Sequence, residues 1–332
     1  MVISAVCYLY AKPAKENRQC PTDSAPPGCW SSPPSLPPRW PKRRKTVNIG
    51  YQKANIFALL KYRGTLDESL KKQGIAVRWV EFPAGPQMLE GLNVGSIDLA
   101  ATGDAPPAFA QAAQADLVYL AHSPANPKTE AIVVPEQSAI HSVADLKGKR
   151  VGLNKGSDVN YLLVAALEKA GLSYKDITPV YLPPADARAA FQRGAIDAWV
   201  IWDPFLAEVE TNAKARQIRN AEGLVPHYTF YLASRKFADT YPETAKQVVD
   251  ELGKLSAWAN SHQDEAAGLL STSTGLDKAI WLKTLARLPY GAERMTPAVY
   301  NEQQALADTF TRIGLLPVKV DVRSATWSLD KP

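Results

Sequence analysis

Gly95-Ser96-Ile97-Asp98 stands between a helix-like run and the apolar Leu99-Ala100-Ala101, and Gly194-Ala195-Ile196-Asp197 stands in the same setting 99 residues later. Two further landmarks surround this pair. Val47 to Tyr51, alternating as a strand and followed by Gln52-Lys53, matches Lys149 to Leu153 followed by Asn154-Lys155, an offset of 102. Phe82-Pro83-Ala84 ahead of a helical run matches Leu182-Pro183-Pro184, an offset of 100. Any one helix-Gly-strand junction is commonplace in an α/β protein. Three in one order predict a pseudo-repeat, two lobes built on one plan.

The elements between the landmarks fix the class. Leu66 to Gln73 reads as a helix closed by Gly74, Ala76 to Phe82 as a strand, Pro86 to Val94 as a helix closed by Gly95, and Ile97 to Ala101 as a short buried strand. This βαβα order predicts mainly parallel sheets with helices on both faces. After Pro226 the pattern changes. Tyr228 to Ser234 reads as a strand returning to the first lobe, and helices follow near Pro242 to His262, Asp264 to Leu270, Leu276 to Arg287 and Pro297 to Ile313. From Leu316 the chain reads as a tail along the surface. The expected division is residues 46–131 with 229–332 in lobe I and 132–228 in lobe II, since 332 residues exceed what one core usually holds.

Charge and cysteine separate residues 1–45 from the rest. That segment holds eight Lys or Arg against Glu16 and Asp23, leaving 30 basic and 31 acidic groups in the body, so the net charge of +5 gives the body no nucleic-acid footprint. Cys7, Cys20 and Cys29 all fall there too, and a body without cysteine suits an exported protein. The pairs Pro26-Pro27, Pro33-Pro34 and Pro37-Pro38 predict disorder. Val2 to Ala11 resembles the core of an export signal, but has no basic flank before it.

Two segments join a strand end to a helix start, Thr102-Gly103-Asp104 and Gly156-Ser157-Asp158. Each reads either as an N-cap or as an anion site, because free N–H groups and the macrodipole favour negative charge there. Set at equivalent positions of facing lobes, they favour the anion reading, with Gln52 adding an amide at the same edge. Trp202 before Asp203-Pro204 reads as core or as a wall for a ligand's carbon body. Asp104 and Asp203 read as helix caps or hinge locks, since a carboxylate beside an anion would repel it.

Catalysis finds little support. His122, His141, His227 and His262 show no metal-ligand spacing, and no GxSxG, GxGxxG or phosphate loop is present, so no metal, cofactor or enzyme activity is expected.

Gly50-Tyr51-Gln52-Lys53, Phe82-Pro83-Ala84-Gly85-Pro86-Gln87-Met88-Leu89-Glu90, Asn93 to Asp98, Thr102-Gly103-Asp104, Ala185 to Phe191 and Ile201-Trp202-Asp203-Pro204 together resemble the aliphatic sulfonate-binding proteins of bacterial ABC importers. The resemblance implies a type II periplasmic-binding fold, two α/β lobes with a ligand cleft between them. It also implies a monomer in the periplasm that carries an aliphatic sulfonate to a membrane permease without catalysis. The family's cleft pattern falls here on Gln52 and Asn55, Thr102 to Asp104, Gly156 to Asp158, Trp202, Asp203 and Thr229. Closure is expected to hinge near Ala131 to Val134 and Val225 to Thr229, and binding to be flat in pH near 7 because a sulfonate stays ionised. Competing readings on the same scaffold are a nitrate or taurine binder, a thiamine-pyrimidine synthase or desulfinase-like enzyme, and a ligand-sensing regulator. The enzymes would need cysteine or histidine clusters, and the regulator a helical DNA-binding domain.

Overall fold

The computed structural model describes residues 46–53 and 55–329, so the readings made for residues 1–45 lie outside it. Two five-stranded sheets organise the chain. The first contains β1 (Thr46–Tyr51), β2 (Ala76–Glu81), β3 (Leu99–Thr102), β4 (Leu117–His122) and a strand from much later, β10 (Phe230–Ser234). The second contains β5 (Glu130–Pro135), β6 (Arg150–Leu153), β7 (Thr178–Tyr181), β8 (Ala198–Trp202) and β9 (Ala215–Asn220). Their orders are β2-β1-β3-β10-β4 and β7-β6-β8-β5-β9.

These orders superimpose term by term, which makes the repeat physical. β1 corresponds to β6, β3 to β8, and the late β10 to β5, each of the last pair running antiparallel to both neighbours. Each sheet is therefore mixed rather than mainly parallel. At the junctions the same bonds recur. The Asn48 N–H donates to Asp98 Oδ2 at 2.8 Å, and the Arg150 N–H donates to Asp197 Oδ2 at 2.8 Å. A Cβ on Gly50 would lie 2.5 Å from Ile97 Cδ1, and one on Gly152 would lie 2.3 Å from Ile196 Cδ1. Each glycine lets an isoleucine cross its strand.

Helices α1 (Ile56–Arg63), α2 (Thr65–Lys71), α3 (Gly85–Asn93) and α4 (Ala105–Ala112) flank the first sheet, and α5 (Asp158–Lys169), α6 (Pro184–Gln192) and α7 (Phe205–Asn212) flank the second. The later helices are α8 (Arg235–Thr240), α9 (Pro242–Ser261), α10 (Gln263–Thr274), α11 (Lys278–Leu285) and α12 (Pro297–Arg312). Period-two burial divides the first sheet's faces. Val118, Leu120, Tyr231 and Ala233 join a core with α1, α9, α10 and α11, while Leu117, Tyr119, Phe230 and Leu232 join another with α3, α4 and α12.

Three expectations change. Helix α1 between β1 and Leu66 is unanticipated, and Asn55 opens it. Ala131 to Val134 is no hinge: it lies inside β5, bonded to β8 and β9, and the segments joining the sheets are 123–129 and 221–229. The end of the chain does not simply follow the surface. Val322, Ala325 and Trp327 are buried, and Trp327 Nε1 donates to Asp239 Oδ1 at 2.9 Å.

Candidate functional site

Where β1, β3 and β8 end and the two joining segments pass, a cavity opens, bordered by Gln52, Asn55, Thr102, Gly103, Asp158, Trp202, Asp203 and Thr229. Eight of the residues singled out in the sequence thus share one cleft. The other three do not border it. Asp104 is buried behind it, its carbonyl accepting from Gln303 Nε2 at 2.6 Å. Gly156, at φ +73, packs against Phe109 and takes its N–H to Asn160 Oδ1. Ser157 turns its hydroxyl to the Asn154 carbonyl at 2.8 Å.

The strand correspondence also re-pairs the helix starts. Because β1 matches β6 and β3 matches β8, the 52–55 loop is equivalent to 154–157, and 102–104 to 202–204. Thr102 to Asp104 and Gly156 to Asp158 are not counterparts. Neither offers the full set of free N–H donors of a helix start. Pro106 and Pro107 occupy the first turn of α4 and remove two of its N–H donors. Asp158, in the first turn of α5, already brings a carboxylate to that end. Asp104 makes no side-chain cap, whereas Asp203, one residue before the Pro204 N-cap of α7, accepts from the Ala207 N–H at 2.9 Å. Asn55 caps α1 by accepting from the Phe57 N–H at 3.0 Å, and its Nδ2 donates to the Ala101 carbonyl at 2.9 Å, tying α1 to the end of β3.

The cleft holds residues that sequence reasoning missed. Tyr290 borders it with a buried hydroxyl that has no hydrogen-bond partner among the described residues, and Ser123, Thr129 and Leu288 border it too. Most consequential is His227, set aside in the sequence for want of ligand spacing. It is buried at φ +51, with Nε2 3.0 Å from Asp158 Oδ2 and Nδ1 3.0 Å from Thr129 Oγ1 and 3.2 Å from the Asn126 carbonyl. Burial works against its charge, but Glu130 and Asp158 outweigh it and raise the imidazole to about 10. Glu130 is fully buried with neither carboxylate oxygen hydrogen-bonded among the described residues, and burial raises it to about 8. Burial likewise lifts Asp104 to about 7. No local pattern marks this group, since its members come from a joining segment, a strand start and a helix start.

Charge pairs cross the cleft beside the site. Glu210 of α7 receives both Arg287 Nη2 and Lys283 Nζ, the latter at 2.8 Å, and Arg287 Nη1 lies 3.6 Å from Asp203 Oδ2. Farther out Arg312 of α12 meets Glu168 of α5 at 2.8 Å. A Cβ on Gly103 would fall 2.6 Å from Asp158 Cγ. The lobes are closed to van der Waals contact here.

Residues 70–266 match the family model described as NMT1/THI5 like. A relative from Escherichia coli K12 named for binding aliphatic sulfonates is 44% identical over 285 residues, covering 85% of this chain and 89% of its own. The solved alkanesulfonate-binding protein SsuA from Xanthomonas axonopodis pv. citri, bound to MOPS, superimposes with a TM-score of 0.82 at 44% identity, over 85% of this chain and 98% of that one. The periplasmic aliphatic sulphonate binding protein SsuA of Escherichia coli gives a TM-score of 0.78 at 43% identity, over 86% and 92%.

Proposed function

Since the chain belongs to the NMT1/THI5-like family, among its aliphatic sulfonate-binding members, we propose that it is the solute-binding component of an ABC importer and captures an aliphatic sulfonate in the cleft between its sheets. The observation that carries this reading is the likeness to a solved alkanesulfonate-binding protein over 85% of the chain. The protein works outside the cytoplasmic membrane as a monomer and passes its ligand to the permease. It performs no chemistry on it.

Selectivity rests on neutral donors. Gln52, Thr229, the Trp202 indole and the Tyr290 hydroxyl surround the anion, while Ile56, Leu288 and the Trp202 ring contact the alkyl chain. The carboxylates are held away from repelling it: Asp158 is neutralised by His227 and Asp203 faces Arg287. Calorimetry with ethane-, butane- and octanesulfonate tests this. Micromolar or tighter binding, about −8 kcal/mol, is expected, with nitrate and taurine weaker. Tyr290→Phe weakens it about tenfold through loss of one hydrogen bond to a charged group. Millimolar or absent binding across the series sinks the reading.

A further inference from the structure

We propose that Glu130, Asp158 and His227 form a binding site for a divalent first-row transition ion where the joining segments meet the second sheet. One ligand atom from each lies within 4.8 Å of the others, and all three residues are buried. The decisive observation is Glu130. Its side chain is fully enclosed, and neither oxygen has a hydrogen-bond partner among the described residues. A buried carboxylate persists when a cation pairs with it or when it carries a proton. Protonation would remove the charge but would bring no donor to the second oxygen, which would stay unmet. Cation coordination answers the charge and the unmet oxygens together.

The imidazole is set up for ligation. Thr129 Oγ1 donates to the Asn126 carbonyl at 2.8 Å and therefore accepts from His227 Nδ1–H, so an ion that displaces the Nε2 proton now facing Asp158 finds Nε2 as its ligand atom. That is the outer-shell arrangement a metal-binding histidine requires. A tetrahedral ion with bonds of about 2.0–2.2 Å keeps its ligands roughly 3.4 Å apart. Asp158 Oδ2 and His227 Nε2 are near this spacing at 3.0 Å, and a Glu130 carboxylate oxygen lies within 4.8 Å of both. One imidazole and two carboxylates suit zinc, cobalt or manganese. With Asp104 as a third carboxylate close by, a dication also offsets the negative charge of this buried region. Asp158 and His227 border the cleft, so the ion would sit beside the bound anion.

The test uses the full chain after chelator treatment, titrated with cobalt(II) and, separately, zinc. One equivalent of cobalt should produce a visible d–d band, and Glu130→Gln and His227→Asn should each weaken that binding at least tenfold. Any thiolate-to-cobalt charge transfer from Cys7, Cys20 or Cys29 would identify a separate site and should survive both changes. Metal-free Glu130→Gln should melt at or above the wild type, because a strained carboxylate is gone, yet lose the rise in Tm that zinc gives the wild type. If that variant fails to fold, Asp158→Asn replaces it with the same expected loss. The inference is overturned if binding weaker than millimolar is all that is seen, or if the three variants bind as the wild type does.

Discussion

The two sheets share one strand order but present different chemistry where their strands end. On the first, the edge of the cleft is made of neutral groups, Gln52, Asn55 and Thr102; on the second it carries Asp158 and Asp203. The equivalent helix starts differ in the same way, for Asn55 caps α1 with its side chain while Ser157 leaves α5 uncapped and turns back to Asn154. The difference teaches that a repeat conserves what holds each lobe together and is free to diverge where the lobes meet. Gly50 with Ile97 and Gly152 with Ile196 are the conserved part. The asymmetric carboxylates are the divergent part, and they need partners from outside their own lobe, His227 and Arg287.

Breaking that contact between unlike edges should have the largest effect. In Gly103→Ala the new methyl would lie 2.6 Å from Asp158 Cγ, so the lobes cannot approach as they do here. Sulfonate affinity should fall by about a hundredfold, near 2.7 kcal/mol. The fold of each lobe should be untouched, because Gly103 does not need a left-handed backbone. Calorimetry and small-angle scattering with saturating ligand read both parts. Near wild-type affinity would mean that closure at this point is unnecessary for binding.

The second prediction sharpens the conserved half of the comparison. Asp98 is 5% exposed and accepts from both the backbone and the side chain of Asn48, at 2.8 and 3.1 Å. Its counterpart Asp197 keeps the backbone bond but shares its other oxygen with the exposed Arg150 guanidinium at 2.8 Å. Asp98→Ala should cost about 2 kcal/mol of stability, as expected for a charged acceptor removed from buried donors. Asp197→Ala should cost less than half as much, since water replaces an exposed partner. Urea melts of the two variants decide it. Equal losses would show that the shared backbone bond dominates and that burial adds nothing.

Much of this architecture is legible in the sequence because the repeated junctions combine local signals. A glycine closing a helix, an aspartate bonding the neighbouring strand and a short apolar strand occur within a few residues of each other, twice. The cleft residues at strand ends are legible for the same reason. What could not be read comes from contacts distant in sequence. β10 lies between β3 and β4 although more than a hundred residues separate it from either, and no alternation pattern reveals that it runs antiparallel. His227 meets Asp158 and Glu130 only because its joining segment lies bonded alongside the other, at the starts of β5 and α5. Tyr290 reaches the cleft from beyond α11. The two helix starts read as anion sites carry details that bear on that reading and are present in the sequence, the prolines at 106 and 107, which remove N–H donors, and the acid at 158, which brings a carboxylate to the helix start.

The smallest expected effect tests whether the acidic edge is felt by the ligand. A sulfonate keeps its charge at every pH of interest, and a flat profile follows if the site does not titrate. Burial, however, pushes Asp203 up to about 7, with Arg287, the Ala207 N–H and Lys283 opposing that rise and Glu210 adding to it. Below that value Asp203 is neutral and one negative charge leaves the cleft wall, so affinity should rise roughly threefold between pH 8 and pH 6, a modest change because Arg287 already screens the carboxylate. Stability should move in the same sense. The folded state holds this proton at a pH where the unfolded chain has released it, so the contribution of Asp203 to stability declines as pH rises from the ordinary carboxylate value through 7. In Asp203→Asn the group no longer titrates and the residual slope should flatten. A wild-type profile that is already flat would place the Arg287 pairing above burial and leave Asp203 ionised throughout, making the two edges of the cleft differ in charge but not in their response to protons.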